Sequence, residues 1–429
     1  SILDEVIITI RQSQDKRDAK NNLIRAFSFT EEQAEAIVSL QLYRLTNTDI
    51  TDLRNEEASL KKLISELLEI LNNESQLAKV IKQELQSIRK QFAEPRRSII
   101  EDEIEEIKIT LDVMIPSEEV VVTVTKDGYV KRTSTRSYSA SNGKDFAMKE
   151  SDYLLFESMM NMQHHILLFT SLGNYIYQPI HELPEIRWKD LGQHVSSIVS
   201  LDSNETIIKA IPIEKFDDTR FILAVSKLGQ IKRSSLADYQ VQRYSRALNT
   251  MNLKKGDQLV YIDLVTQEDE VFIATLNAYA VRFNMDEVPV TGVKTGGVKG
   301  INLKDGDVVV NATTIPAGAR GDLFLVTHRG AVKKMSLKEF EQGTRAKRGI
   351  VVLRELKSNA HRVSGVFYVQ DNEQVVIETA KGVREVVDTK PVRISDRYSN
   401  GSFVVDTDKD GVVVRLWKVL KKSIESKKS

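Results

Sequence analysis

The sequence has 429 residues, 41% of them hydrophobic and 28% charged, a balance that suits a globular protein of two or more domains and excludes a disordered or fibrous chain. It contains no cysteine, so disulfide frameworks and thiolate metal sites are excluded, and no apolar run reaches the length of a membrane span. The 61 Lys/Arg and 61 Asp/Glu cancel overall, yet residues 1–110 carry 16 and 21 of them and residues 111–429 carry 45 and 40, so contact with nucleic acid must come from local basic clusters.

Residues 1–110 hold one Pro and no Gly. The chain opens Ser1-Ile2-Leu3-Asp4, already inside a helical pattern, and is expected to be a piece of a longer polypeptide. Ile2, Leu3, Val6, Ile7 and Ile10 form an apolar stripe at helical spacing that ends near Ser13. Thr30-Glu31-Glu32-Gln33 is a capping box, in which the Thr hydroxyl and the Gln amide each satisfy a backbone N–H of the other. The helix it starts sets Ala34, Ile37, Val38, Leu42 and Leu45 on one side. So short a segment offers that side few partners, and Ile37, Val38, Leu42 and Leu45 are expected to form a dimer interface.

A longer pattern follows. Leu60, Ile64, Leu67, Leu71, Glu74, Ala78, Ile81, Leu85, Ile88 and Phe92 step by alternating fours and threes, a heptad seam with one polar place. That place lies in Asn72-Asn73-Glu74-Ser75, whose side chains compete for backbone hydrogen bonds and predict a helix break. Pro95 marks a further stop. The expectation is an antiparallel helical, coiled-coil hairpin enclosing a small globule; a three-helix bundle fits the pattern as well. Either way an exposed heptad seam must be buried somewhere, which favours pairing or dimerisation.

From residue 118 the period becomes strand-like and a repeat appears. Six copies of a turn marker read Thr125-Lys-Asp-Gly128, Thr170-Ser-Leu-Gly173, Ser226-Lys-Leu-Gly229, Thr275-Leu-Asn-Ala278, Thr327-His-Arg-Gly330 and Thr379-Ala-Lys-Gly382, spaced by 45, 56, 49, 52 and 52 residues. Gly at the fourth place supplies the positive φ that a tight hairpin needs. Ala278 breaks the rule, and Asn277 is expected to take the left-handed position instead. Each copy adds a loop rich in basic or Gly residues and an apolar strand running into a second, usually acidic turn, as in Leu253-Lys-Lys-Gly-Asp257 and Leu303-Lys-Asp-Gly-Asp307. Six units of about 50 residues, each of four short strands, read as radial blades, because one blade cannot bury both of its faces.

Cations recur after the first turn and in the loops, so radial blades would set them on one ring matching the phosphates of bent duplex DNA. The candidate DNA-binding residues are Lys131, Arg132, Arg136, Lys144, Arg187, Lys189, Lys232, Arg233, Arg243, Arg246, Lys294, Lys299, Arg345, Lys347 and Arg348. Solvated edge-strand cations that block aggregation are the alternative. No base-reading motif is apparent, so contact is expected to be backbone-directed. Asp406-Thr-Asp408-Lys-Asp410-Gly411 opens like a calcium loop, but Trp417 stands at the twelfth place where Glu is required, so a hairpin turn is expected. Gly292 to Gly300 lacks the Lys-Ser/Thr ending of a phosphate loop. No catalytic residue, metal site or nucleotide site is assigned.

Ile37-Val-Ser-Leu-Gln-Leu-Tyr-Arg-Leu-Thr46, the heptad helix after it and Arg96-Arg97 resemble the dimer-gate region of the A subunits of bacterial type IIA topoisomerases. Val122-Thr-Val-Thr-Lys-Asp-Gly-Tyr-Val-Lys-Arg132 resembles the opening of their C-terminal domain. Ile186-Arg-Trp-Lys-Asp-Leu-Gly-Gln-His194 is similar to a signature of the topoisomerase IV branch in Gram-positive bacteria. The resemblance covers essentially the whole chain. It implies an α plus all-β multidomain fold: end of a coiled-coil stalk with a helical dimer gate over 1–108, a linker over 109–117, a six-bladed β-pinwheel over 118–420, and a basic disordered tail over 421–429. It further implies a homodimer that binds duplex DNA and meets a B subunit through an N-terminal half carrying the nucleophilic Tyr. ATP and Mg²⁺ would be used by parts absent here, and the location would be cytoplasmic, at the nucleoid. Arg243-Tyr244 and Arg397-Tyr398 look like the Arg-Tyr pair of topoisomerase active sites but lie in blade loops. Where gyrase A subunits carry paired Arg and paired Gly in the first blade loop, this chain has Ser139-Ala-Ser-Asn-Gly-Lys-Asp145, which favours topoisomerase IV over gyrase. Outside the family, a propeller-like protein-interaction scaffold on a coiled-coil stalk is the remaining reading.

Overall fold

The computed structural model describes residues 2–40, 47–94, 115–370 and 372–420, with no side-chain placement for 47–50. The chain divides into two units, Ser1–Glu106 and Ile107–Ser429. Leu42, Leu45, Arg96, Arg97, most of the expected linker and the 421–429 tail lie outside the described residues.

In the first unit, α1 (Ile2–Gln12), α2 (Lys16–Phe27) and α3 (Glu31–Ser39) enclose a small core. The capping box forms as the sequence predicts: Gln33 N–H donates to Thr30 Oγ1 at 3.2 Å, and Thr30 N–H donates to Gln33 Oε1 at 3.0 Å. One expectation is corrected here. Ile37 and Val38 are not a face without partners; they are half-buried against Val6, Leu23 and Ala34, because α1 and α2 fold back over α3. Beyond this core, α4 (Asn47–Asn72) and α5 (Glu74–Phe92) meet at Asn73, whose side chain accepts from Ser75 N–H and caps α5. The predicted break is therefore real. The seam stays exposed on both sides of it, from Leu60 and Ile64 through Leu71 to Leu85, Ile88 and Phe92. No helix is long and apolar enough to cross a membrane among the described residues.

The second unit is a disc of six antiparallel sheets. The six hairpins are Glu119–Thr125 with Tyr129–Ser134, His165–Thr170 with Asn174–Pro179, Phe221–Ser226 with Gln230–Ser235, Glu270–Thr275 with Tyr279–Asn284, Asp322–Thr327 with Ala331–Ser336, and Gln374–Thr379 with Arg384–Asp388. All six predicted markers are the hairpin turns. In each, the fourth residue donates its N–H to the first residue's carbonyl and takes a positive φ. In the first five, the Thr or Ser hydroxyl also accepts from the N–H of the next strand's first residue, which explains a hydroxyl at the head of the marker. The expectation for Asn277 is corrected: Ala278 itself takes φ +65°, because its N–H must reach Thr275 O for the turn to close. The acidic second turns interlock with the first. Asp152, Asp257 and Asp307 are buried, and each accepts a turn N–H, from Asp127, Leu228 and Asn277 respectively.

A third strand pairs with the first strand of every hairpin, and in five blades a two-residue fourth strand pairs with the second. That fourth strand comes from the following repeat. Gln193–His194 completes blade 1, Leu248–Asn249 blade 2, Val298–Lys299 blade 3, Ile350–Val351 blade 4 and Ser402–Phe403 blade 5. Blade 6 has three strands among the described residues. Where the exchanged strand of the first repeat would lie, the chain instead forms a short helix, α6 (Thr135–Ala140), and a loop to residue 153.

The first strands read as continuous apolar runs because both blade faces are covered, so alternation is lost. Five apolar clusters fill the five seams from blade 1/2 to blade 5/6. Each fully buried Val, Leu, Ile or Phe contributes about 1.5–3 kcal/mol, which makes these seams the main source of stability. The 6/1 seam differs. Tyr153 stacks on Trp417 with ring centroids 4.0 Å apart, Arg384 and Arg415 donate to the carbonyls of Asp152 and Ser151, and Glu378 pairs with both guanidinium groups. The predicted calcium-like segment is not a hairpin turn but one turn of helix, α7 (Thr407–Asp410), capped by the Asp406 side chain.

Candidate nucleic-acid interface

Strand exchange decides where the cations go. Each basic loop leads into a fourth strand, so it sits on the outer rim of the preceding blade and not on its own. The rim of blade 1 thus carries Arg187 and Lys189, blade 2 Arg243 and Arg246, blade 3 Lys294 and Lys299, blade 4 Arg345, Lys347 and Arg348, and blade 5 Arg393 and Arg397. Of these, Arg187, Lys189, Arg243, Arg246, Lys294, Lys299, Lys347, Arg348 and Arg393 are exposed. Arg345 is half-buried and braces the rim of blade 4, with Nε donating to Glu287 O and Nη1 to Lys299 O. Arg136 and Lys144 are exposed in the α6 segment of blade 1.

The cations directly after the turns are corrected. Lys131 and Lys232 are 0% and 1% exposed, and Arg233 is 6% exposed, so none of them can meet a phosphate. The second strand of a blade is not an edge, because the exchanged fourth strand covers it. Lys131 Nζ donates to the carbonyls of Arg187, Trp188 and Asp190, and Lys232 Nζ to those of Thr250, Gly292 and Val293. Burial lowers both ammonium groups to about 8. Arg233 lies 4.8 Å above the Phe221 ring, and its Nε and Nη1 meet no acceptor. Arg132 is half-buried, 3.5 Å from Glu185 and against the Met162 sulfur.

Rim charge is uneven. On blade 1, Arg187 pairs with Asp190 at 2.8 Å and Lys189 with Asp145 at 3.1 Å. The rims of blades 2 and 3 carry no such ion pairs among the described residues. Tyr244 and Tyr398 are rim residues: Tyr244 Oη donates to Glu182 at 2.7 Å, and Arg397 lies over the Tyr398 ring. No group of three His, Asp or Glu side chains is placed to hold a metal ion among the described residues.

The sequence reading missed the exchange register. A recurring signal marks it: Gly192, Gly297, Gly349 and Gly401 stand just before their fourth strands, where backbone meets backbone. A Cβ at Gly297 would lie 2.5 Å from Ile231 O.

Residues 1–86 match the family model for the A subunit of DNA gyrase/topoisomerase IV. Five stretches between 119 and 370 match the model for the DNA gyrase C-terminal domain, beta-propeller. The chain belongs to the family of gyrase and topoisomerase IV A subunits. Within this family it sides with topoisomerase IV. The DNA topoisomerase 4 A subunit of Bacillus subtilis (strain 168) is 53% identical over 419 residues, covering 98% of this chain and 52% of that protein. Its counterpart in Staphylococcus epidermidis is 42% identical over 413 residues, covering 96% and 51%. The chain thus spans about half the length of these relatives. A crystal structure of the C-terminal domain of DNA topoisomerase IV superposes with a TM-score of 0.69 at 52% identity, covering 71% of this chain and 94% of that one. The DNA gyrase A C-terminal domain shares the fold, with a TM-score of 0.53 at 20% identity, covering 71% and 100%.

Proposed function

We propose that this chain is the C-terminal part of the DNA-cleaving and religating subunit of topoisomerase IV, and that its disc binds and bends duplex DNA during decatenation and relaxation. The observation that carries the reading is the rim: five consecutive blades present two or three Lys or Arg each, in the same structural position, on one ring. A curved row of cations neutralises the inward phosphates of bent DNA, and that attraction offsets the bending energy. Without base-reading side chains, the grip tolerates any sequence. The protein works as a homodimer in the cytoplasm, together with a B subunit. ATP hydrolysis and Mg²⁺-dependent cleavage belong to parts of the assembly that this chain does not include.

The test is salt-dependent binding of the chain to a random-sequence duplex. The logarithm of affinity should fall linearly with that of salt, by about 0.9 per phosphate contacted. Reversing charge together at Arg345, Lys347 and Arg348 should weaken binding about tenfold or more and flatten the slope by one to three contacts' worth, roughly 1–3. A wild-type affinity without salt dependence belongs to a protein scaffold and overturns the reading. Supplied with Mg²⁺, ATP and a B subunit, the chain should form no covalent DNA adduct; one mapped to Tyr244 or Tyr398 would place the chemistry here after all.

A further inference from the structure

The place three residues after each turn alternates around the disc: Lys131, Ile176, Lys232, Val281, Lys333, Glu385. The odd blades carry Lys, and all three are at most 2% exposed. Lys333 repeats the pattern of the other two, its Nζ donating to the carbonyls of Arg397 and Ser399 at 2.8 Å and of Val352 at 2.6 Å. In each case two or three of the accepting carbonyls belong to the loop that carries the rim cations, Arg187 and Lys189 on blade 1, Lys294 on blade 3 and Arg397 on blade 5, while Thr250 and Val352 follow the exchanged strand of the preceding blade. The even blades 2 and 4 also receive a rim loop, and there a buried aromatic ring anchors it, joined on blade 4 by Arg282, whose Nη1 donates to the carbonyls of Leu337 and Phe340. Tyr239 packs edge-on against Tyr175, and Phe340 edge-on against Phe272. Blade 6 receives no loop among the described residues, and its Glu385 is exposed.

Two anchoring chemistries therefore serve the rim, and blade 1 combines them, its buried Trp188 packing against Tyr138 and Phe146 beside Lys131. An aromatic plug holds a loop by its side chain. A buried ammonium holds it by its backbone, fixing two or three of its carbonyls at once while cations such as Arg187, Lys189 and Lys294 stay exposed. Burial lowers each ammonium to about 8, so all three remain cationic at neutral pH and make charge-assisted bonds, the stronger kind.

We propose that Lys131, Lys232 and Lys333 are positioning residues for the phosphate grip, each setting the rim loop of its blade from beneath without touching DNA. This rests on the rim being the DNA-binding surface. Lys232→Met keeps the length and removes the donor. In the full chain it should weaken duplex binding about fivefold and lower the salt slope by one to two contacts' worth, roughly 0.9–1.8, although Lys232 reaches no phosphate.

A double-mutant cycle isolates the route. In a Lys294→Ala/Lys299→Ala background, Lys232→Met should cost no further affinity. In an Arg243→Ala/Arg246→Ala background it should keep its whole effect. Equal, additive losses in both backgrounds mean a general structural role and overturn the proposal. If neither pair of alanines changes binding at all, it is the rim reading that fails. Lys131→Met with Arg187→Ala/Lys189→Ala, and Lys333→Met with Arg393→Ala/Arg397→Ala, repeat the cycle at blades 1 and 5. The unmutated chain gives a readout that needs no variant to fold. Hydrogen exchange at 187–190, 292–293 and 396–399 should be slower than at 243–246, and equal or faster exchange overturns the proposal.

Discussion

The successive helices α4 and α5 and the disc are both built on a sequence repeat, and the two repeats end in opposite states. The heptad seam is apolar but for Glu74, yet open, with Leu71 75% and Leu85 60% exposed. The blade repeat is closed at every seam, five by apolar clusters and one by a Tyr–Trp stack with Arg–Glu pairs. A periodicity shows which side chains share a face but not what covers it. A blade is covered by the next copy of itself, and a heptad helix by whatever other helix is supplied.

The largest expected effect sharpens the contrast inside the disc. Phe272 is fully buried in the 4/5 seam, and Phe272→Ala should cost about 3–5 kcal/mol of disc stability. Trp417→Ala at the 6/1 seam should cost about 1–2 kcal/mol, since Trp417 is half-exposed and loses mainly one stacked ring. Denaturant midpoints of the two variants decide it; equal costs would mean that the seams are equivalent. The helices come next. Ile64→Asp with Leu85→Asp puts two charges into the open seam and should weaken self-association of the chain about a hundredfold, or roughly 2.7 kcal/mol, by sedimentation equilibrium. An unchanged association places the dimer contact outside the seam.

A smaller effect comes from pH. The folded lysines 131, 232 and 333 titrate near 8, while their ordinary value is near 10.5. Below pH 8 both states hold these protons. Between 8 and 10.5 the unfolded chain still holds protons that the disc has released, so stability rises with pH. The disc's melting temperature should climb by about 5 °C from pH 7.5 to 9.5, and the climb should vanish when all three are Met. Above pH 10 the trend reverses. Burial pushes Tyr153 and Tyr175 up to about 12, so the unfolded chain loses tyrosine protons that the disc keeps. A melting temperature flat from 7.5 to 9.5 would break the account.

Turns, caps and the helix break were legible because their chemistry is local: Thr30 with Gln33, Asn73 with Ser75, a hydroxyl and a left-handed residue three apart in each hairpin. The number of blades followed from counting those turns. Strand exchange was not legible, because the two-residue fourth strands are too short to leave a period, and their only trace is the glycine before four of the five. Missing it misplaced the charges. Lys131 and Arg132 alternate along a strand and read as edge cations, but both faces of that strand and its outer edge are covered, so both turn inward. Ile37 and Val38 read as free because the pattern gives no fold-back of α1 and α2. Ala278 shows that a turn can impose a left-handed backbone on a residue that disfavours it, at a cost of about 1 kcal/mol.

The smallest expected effect concerns DNA topology, and it tests whether the disc grips as uniformly as its repeats suggest. A closed wrap needs attraction around the whole rim, since bending a few tens of base pairs costs several kcal/mol and is offset only where cations meet inward phosphates. Blades 2 to 4 offer exposed cations. Blade 6 has no exchanged strand among the described residues and hence no rim loop. On blade 1, Arg187 is engaged by Asp190 and Lys189 by Asp145, which also stands beside Lys144. Attraction therefore fades over two adjacent sixths of the rim, and DNA should bend without a stable closed wrap. Ligating nicked circular plasmid with saturating chain bound should give a linking number close to the protein-free control. Asp145→Asn with Asp190→Asn frees two cations and should produce a small shift where the unmodified chain gives none. A large shift from the unmodified chain, comparable to a gyrase disc run in parallel, would show that exposed ion pairs of this kind yield to phosphate and that the gap at blades 6 and 1 does not limit the wrap.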